Sequence, residues 1–138
     1  MSWLLDTNVL SELRKGERGA AAVRRWMEAH RDDEHFTSVL VLGEIRRGIE
    51  SKRQRDPEAA ARLDAWVRRI ETDFAARILP VDAEIADRWG RLNVPDPIPA
   101  VDGLLAATAL VHDLALVTRN VRDVERTGVR LVDPFDGG

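Results

Sequence analysis

The chain of 138 residues contains no cysteine. This excludes a disulfide framework, a thiolate metal site and a cysteine nucleophile, so any metal ion must be bound by oxygen or imidazole ligands. Long hydrophobic runs are also missing, since no apolar segment approaches the roughly 18 residues that a membrane span needs. The N-terminus enters Trp3, Leu4 and Leu5 without a basic leader segment. We therefore expect a cytoplasmic protein with no membrane partner.

Lysine is scarce as well: Lys15 and Lys52 are the only two lysines among 21 basic residues, and arginine supplies the rest. Arginine suits bidentate contacts to phosphate or to carboxylate, although the base composition of a genome can produce the same bias. The net charge of −3 excludes the uniformly basic surface of a protein that coats nucleic acid. Local basic patches remain compatible with it.

Apolar residues make up 44 % of the sequence, enough to bury a core in a chain of the commonest size for one domain. We predict a single domain over residues 1–138. Short β-rich segments alternate with helical periodicity, which predicts an α/β fold with a small parallel sheet covered by helices on both sides. The predicted strands are 3–6, a brief extended piece at Phe36, 78–81, 115–118 and 129–132. One helix is predicted to begin near Val9, and the other predicted helices span 20–30, 39–51, 57–76, 83–92 and 100–112.

An aspartate ends the first predicted strand, in the segment LLDTNVLSEL that begins at Leu4. Ligands of open parallel sheets bind at the carboxyl ends of strands, so Asp6 lies where chemistry is expected. The structural alternative is that Asp6 caps the following helix, with Thr7 or Asn8 sharing that role.

A glutamate interrupts the apolar face of a later predicted helix. Within VLVLGEIRRGIE, Glu44 lies one helical turn after Leu40 and Val41, so its carboxylate projects from an apolar face. A carboxylate there is costly unless it is paired, hydrogen-bonded or metal-bound. Arg46 and Arg47 point elsewhere around the helix, which leaves either a tertiary ion pair or a ligand site.

Three further polar residues follow the same logic in the second half of the chain. Asp102 lies in the first turn of AVDGLLAATALVHD, where the helix dipole alone is a sufficient reason for an acid, yet its face is the core-facing one. Asn120 and Asp123 follow the strand ALVT; turn chemistry explains Asn120, and Asp123 taken alone is an ordinary surface acid. Together these oxygen donors would converge on one point, which favours Mg²⁺ or Mn²⁺ over structural Zn²⁺.

Four segments in order resemble the PIN-domain ribonucleases, and within them the VapC toxins of bacterial toxin–antitoxin pairs, particularly the FitB-like branch. They are LLDTNVLSEL, SVLVLGEIRRGI, PAVDGLLAATALVHDLALVTRNVRDV and TGVRLVDPF. The resemblance implies a PIN-like fold and a Mg²⁺-dependent endoribonuclease, with Mn²⁺ as a possible substitute, that leaves a 5′-phosphate and a 3′-hydroxyl. Both one-ion and two-ion schemes stay open, because each needs a similar cluster of acids.

The resemblance also maps functional positions onto this chain. Catalytic and metal-binding positions fall on Asp6, Glu44 and Asp102. Asp123 and Asn120 share the fourth position, since many relatives have aspartate where this chain has Asn120. Further expected contacts to metal-bound water, phosphate or substrate come from Thr7, Thr118, Arg119 and Arg122, while Arg46 and Arg47 also flank the proposed ligands.

Partners follow from the same resemblance. It implies a homodimer, an RNA substrate, and a VapB-like antitoxin that inserts a basic side chain into the acid cluster and alone contacts operator DNA. We expect the RNA to be single-stranded or a loop, because such a backbone can bend into a recessed site. The helices 20–30 and 57–76 are the expected antitoxin surfaces. The alternative is a catalytically weak PIN subunit that acts mainly within such an antitoxin-bound, DNA-binding complex.

Two other enzyme classes are excluded by single residues. A haloacid dehalogenase needs a second aspartate where this chain has Asn8, and a receiver domain needs a late lysine that the chain lacks. The histidines His30, His35 and His112 are widely separated, and we predict each to be an ordinary surface or helix-end residue.

Overall fold

The core of the protein is a parallel sheet of five strands in the order β3-β2-β1-β4-β5. We describe it from a computed structural model, which covers residues 1–136. The strands are β1 (Ser2–Leu5), β2 (Glu34–Ser38), β3 (Ile78–Leu79), β4 (Ala115–Val117) and β5 (Leu131–Val132). The predicted α/β class and the parallel sheet are confirmed.

Seven α-helices within residues 1–136 cover the sheet. They are α1 (Thr7–Arg14), α2 (Ala21–Ala29), α3 (Val39–Arg53), α4 (Pro57–Phe74), α5 (Ala83–Leu92), α6 (Ala100–Val111) and the short α7 (Val121–Val124). Helix α7 lies in the segment TRNVRDV, where no helix was predicted, because four residues carry too little periodicity to register. None of the helices in this part of the chain is both long and apolar enough to cross a bilayer.

Buried aliphatic side chains hold the central strands in place. Leu4, Leu5 and Val117 have no exposed surface, and Leu5 lies opposite Val117 in the register of β1 with β4. On α6, Leu105 and Ala106 are equally buried, because small residues let this helix approach the sheet closely. The apolar runs of these segments are what fix the two strands side by side.

Side-chain caps set the starts of three helices. Ser38 accepts a hydrogen bond from the Leu40 amide at the start of α3, Asp56 caps α4, and Asp82 caps α5. Each cap satisfies an amide that the helix cannot pair internally. The starts of α3, α4 and α5 therefore fall where the sequence placed them.

The order of the strands determines where a site can form. From β1 the chain moves to β2 and β3 on one side, and it then returns to place β4 on the other side of β1. The carboxyl ends of β1 and β4 therefore flank the point where the direction of the connections reverses. Ligands of open parallel sheets bind at such a point.

Candidate active site

Asp6 lies directly after β1 at this reversal point and is only 3 % exposed. One carboxylate oxygen, Oδ1, accepts a hydrogen bond from the Thr7 amide at 2.7 Å and caps α1. The other, Oδ2, accepts from the Thr118 hydroxyl at 2.6 Å. The capping role and a role in the site are therefore both compatible with the position of Asp6, since each uses a different oxygen.

Glu44 approaches the same edge of the sheet from α3. Its Oε1 accepts a hydrogen bond from the Thr7 hydroxyl at 2.8 Å, and its side chain is half-buried. None of the salt bridges within residues 1–136 includes Glu44. The tertiary ion pair that was its structural alternative is therefore not formed in the described part of the chain.

Asp102, in the first turn of α6, has an electrostatic environment that disfavours its charge. Burial and, after it, the negative charges of Asp6, Asp123 and Glu44 together raise the pKa of the Asp102 carboxyl to about 6, against the opposing effect of a hydrogen bond with the Asn120 side chain. A carboxyl whose pKa is raised by burial together with like charges is typical of a functional site. These neighbours therefore all lie near enough to Asp102 to affect its charge.

Residues after β4 complete this group. The backbone amide of Asn120 donates to the Thr118 hydroxyl at 3.0 Å, so that Thr118 connects the start of α7 to Asp6. Asp123 is exposed on α7. It contributes negative charge at the open side of the group, and the Asn120 side chain is exposed beside it.

The donor set fits a divalent cation in its chemistry, although its side chains are not drawn together into a closed site. Within residues 1–136, no three His, Asp or Glu side chains are arranged so that they could hold an ion as they stand. Carboxylates repel one another, and the hydroxyls of Thr7 and Thr118 hold Glu44 and Asp6 in separate hydrogen bonds. Carboxylate and amide oxygens, here with the charges of three acids acting on the Asp102 carboxyl, are the ligands that Mg²⁺ or Mn²⁺ prefers.

The arginines that flank these residues in sequence differ in availability. Arg46 is bonded to Asp64 at 2.7 Å and to Glu50 at 3.3 Å. The guanidinium of Arg119 lies 4.0 Å from the centroid of the Phe135 ring. Arg122 is exposed on α7. Arg46 is therefore neutralised by its neighbours and does not supply a free charge at the rim.

One residue of the site region was missed in the sequence. The Asn8 side-chain oxygen accepts a hydrogen bond from the Arg119 amide at 3.3 Å, which ties the chain after β1 to the chain after β4. The feature of the sequence that could have indicated Asn8 is its side-chain amide, two residues after Asp6 in the segment DTN. An asparagine side chain readily forms hydrogen bonds with nearby backbone groups, but the sequence does not show that its partner here is the Arg119 amide, 111 residues away.

The histidine prediction was correct for two positions and wrong for the third. His30 and His112 end α2 and α6. His35 is buried on β2, and burial lowers its pKa. It packs edge-on against Trp26. A single polar residue in a short strand does not reveal which face it occupies, and none of the three histidines belongs to the acidic group.

The hydroxyl of Thr118 provides a test of how the site is held. In Thr118→Val the Asp6 carboxylate loses a buried donor and the Asn120 amide loses its acceptor, at nearly constant volume. We expect the free energy of unfolding to fall by about 1–3 kcal/mol, the usual cost of leaving buried polar groups unpaired. Thr118→Ser keeps the hydroxyl and is the control. Urea denaturation of both variants measures the difference, and equal losses would contradict a specific role for the hydroxyl.

The fold and the acidic group define an α/β protein with a site of clustered carboxylates at the reversal point of a parallel sheet. Sequence comparison assigns the family: residues 3–129 match the PIN domain. The chain belongs to the PIN-domain family.

Individual relatives extend this assignment. The chain is 29 % identical over 142 residues to a protein of Sinorhizobium fredii named VapC ribonuclease Y4jK, covering 96 % of this chain and 97 % of that protein. It is 27 % identical over 139 residues to Toxin FitB of Neisseria gonorrhoeae, covering 96 % of this chain and 97 % of that protein. Both matches therefore extend over nearly the whole of each protein.

Solved structures agree with the sequence relatives. The crystal structure of FitAcB from Neisseria gonorrhoeae superposes with a TM-score of 0.85 at 27 % identity, covering 97 % of this chain and 99 % of that chain. DNA-bound VapBC from Salmonella typhimurium superposes with a TM-score of 0.72 at 25 % identity, covering 97 % of this chain and 98 % of that chain. The described fold is thus one that known toxin–antitoxin proteins share.

Proposed function

We propose that this protein is a Mg²⁺-dependent endoribonuclease toxin of the VapC type. It hydrolyses RNA phosphodiesters and leaves a 5′-phosphate and a 3′-hydroxyl. The observation that carries the proposal is the raised pKa of Asp102 beside the carboxylates of Asp6, Glu44 and Asp123, at the reversal point of the sheet. The relatives named VapC ribonuclease support the choice of RNA as substrate.

The residues proposed to hold the ion are Asp6 and Asp102, with Glu44, Asp123 and Asn120 completing the set. When bound, Mg²⁺ or Mn²⁺ would supply a water of lowered pKa and neutralise negative charge on the phosphate. The protein's own contribution is orientation: Thr118 fixes one oxygen of Asp6, and Thr7 fixes Glu44. Burial of Asp6 keeps its charge in a poorly solvated place, where it acts more strongly on a bound cation.

Contacts to the substrate are proposed on the open side of this set. Arg122 and Arg119 lie next to Asn120 and are exposed, so each can meet a phosphate. For Arg119 this requires the guanidinium to leave the Phe135 ring. Thr7 and Thr118 already donate to carboxylates, and their proposed role is to hold those carboxylates toward the substrate.

We further propose that residues 1–138 form one domain, that the protein acts in the cytoplasm as a homodimer, and that a VapB-like antitoxin inhibits it. Solved relatives titled FitAB and VapBC, some bound to DNA, support an antitoxin partner and a complex that binds DNA. We propose that the antitoxin alone contacts the operator DNA. An apolar surface beside Glu44, lined by Val39, Leu40 and Val101, supports a dimer contact there. Val39 is 43 % exposed, unusual for a valine in a helix.

The assay for this proposal is cleavage of single-stranded RNA by the purified protein. We expect cleavage with Mg²⁺ or Mn²⁺ and none with excess EDTA, because the carboxylates alone cannot neutralise charge on the phosphate. The products should carry 5′-phosphates, which a 5′-phosphate-dependent exonuclease detects. Cleavage that persists in EDTA, or products ending in a 2′,3′-cyclic phosphate, would contradict the proposal.

The second candidate is a catalytically weak subunit that serves mainly in an antitoxin-bound, DNA-binding complex. The DNA-bound VapBC and FitAB structures favour it. It predicts no metal-dependent cleavage by the isolated protein, together with tighter operator binding by the antitoxin when this protein is added. The RNA assay and a gel-shift assay on the same preparation separate the two candidates.

A further inference from the structure

A groove between α1, α3 and α4 begins at the acidic site and leads away from it. Its first part is a cavity of about 210 Å³ beside Thr7 and Glu44, bounded farther along by Arg14 and Trp66. A second cavity of about 450 Å³ shares Arg14, Gly48 and Trp66 with the first. The two cavities therefore form one continuous surface that starts at the Glu44 carboxylate.

The second part of the groove is strongly basic. It is lined by no acidic residue, and its cationic side chains are Arg14, Arg18, Lys52, Arg62 and Arg69. None of these five takes part in a salt bridge within residues 1–136. Close by on α3, Arg46 and Arg53 are both neutralised by Asp64. The groove therefore presents five positive charges that form no salt bridge in the described part of the chain.

An aromatic surface lies between the acidic and the basic parts. Trp66 is half-buried and lines both cavities, and the Arg14 guanidinium lies 5.4 Å from the centroid of its ring. Gly48, opposite, is exposed and has no side chain to narrow the groove. A basic groove that follows a backbone and offers aromatic faces to bases is the arrangement by which proteins bind single-stranded nucleic acid.

We propose that this groove binds the sugar–phosphate backbone of single-stranded RNA on one side of the scissile bond. The inference rests on the proposed function, because it takes the acidic site as the place of cleavage. The five cations neutralise successive phosphates, and Trp66 provides a face for a base beside the site. The groove thereby compensates for the repulsion between RNA and the carboxylates.

The charge of the groove favours RNA over a protein segment as its occupant. The adjoining cavity, of about 390 Å³, shares Arg14, Trp66 and Arg69 with the groove. The rest of its lining is apolar except for the acidic Asp73. An apolar peptide suits that neighbouring surface. A run of cations without acids suits a polyanion, since each phosphate contact releases a condensed counterion.

The test is RNA binding in EDTA, where no cleavage interferes. The probe is a short, fluorescently labelled single-stranded RNA, and the readout is fluorescence anisotropy at several salt concentrations. For Arg18→Gln/Arg62→Gln we expect affinity to fall about tenfold at low salt, and the slope of log K against log salt to become shallower by about 1.4, since each single-strand phosphate contact contributes about 0.7. The loss should be the same for oligo-U and oligo-A, because phosphate contacts do not read sequence.

The matched control is Arg68→Gln, an exposed arginine on the same helix that does not line the groove. It should change neither affinity nor slope. Unchanged RNA binding in the double variant, with thermal unfolding as in the wild type, overturns the proposal that the groove binds RNA. A protein partner would then be the better candidate for this face. Groove-dependent binding without Mg²⁺-dependent cleavage supports the groove and contradicts the proposed function. Intact Mg²⁺-dependent cleavage, together with RNA binding that the double variant does not weaken, contradicts the groove and supports the proposed function.

Discussion

Replacing Asp6 by asparagine should reduce Mg²⁺-dependent RNA cleavage by at least about a hundredfold while the protein stays folded. A bound cation contributes several kcal/mol of charge stabilisation, and each 1.4 kcal/mol is about tenfold in rate. Asp6 is the most buried of the site's acids, so solvent compensates least for the loss of its charge. Asparagine caps helices about as well as aspartate, so α1 keeps its start.

Asp56→Asn is the matched control for this variant. Asp56 caps α4 by accepting a hydrogen bond from the Ala59 amide, and it is not one of the acids that act on Asp102. It therefore undergoes the same chemical change in the same structural role, and cleavage should be unaffected. Single-turnover rates on one RNA, together with thermal unfolding, measure both variants. Equal rates for Asp6→Asn and the wild type would contradict a catalytic role for this carboxylate.

Asp102→Asn should also abolish cleavage, yet it should make the metal-free protein more stable at neutral pH. The pKa of Asp102 in the folded protein is about 6, against an ordinary value of 3.8 for an aspartate. Below pH 3.8 the carboxyl is protonated in both the folded and the unfolded state, so it does not lower the free energy of unfolding. As pH rises toward 6 the unfolded state loses its proton first, and the free energy of unfolding falls. Above pH 6 the free energy of unfolding stays lowered by the full amount.

The expected gain is about 1 kcal/mol, because partial exposure screens the repulsion. Urea denaturation in EDTA at pH 4 and at pH 8 measures it, and the gain should appear only at pH 8. Adding Mg²⁺ should reduce it, since an ion that binds the folded wild type stabilises that protein. Glu84→Gln, an exposed acid in the first turn of α5, is the control and should give no gain. A variant less stable than the wild type at pH 8 would contradict the assignment of repulsion at Asp102.

Sequence patterns were most informative where a residue conflicted with its surroundings. The sequence alone indicated Glu44 as a candidate site residue, because it lies on an apolar helical face and no neighbour on α3 could pair with it. Asp6 was ambiguous until the sheet order placed it beside the end of β4. The strand ends were predicted to within two residues of the observed ones. The predicted 78–81 and 129–132 strands shorten to Ile78–Leu79 and Leu131–Val132, since edge strands pair on one side only.

Features that depend on long-range packing were not predictable. The hydrogen bonds from Thr7 to Glu44 and from Thr118 to Asp6 join distant segments, and nothing in the local sequence of either threonine indicates its partner. The pairing of Arg46 with Asp64 depends on how α3 lies against α4. The basic groove likewise brings together side chains of α1, α3 and α4. Composition had indicated only that local basic patches were possible.

The hydrogen bond from Thr118 to Asp6 spans 112 residues, and this has a consequence for synthesis. The chain is made from the N-terminus, so Asp6 leaves the ribosome long before β4 exists to lie beside β1. A nascent chain therefore cannot orient this carboxylate until Thr118 has been added. Ribosomes contain RNA and translate it, and a nuclease site that needs both segments cannot form on them while the residues between these segments are being added.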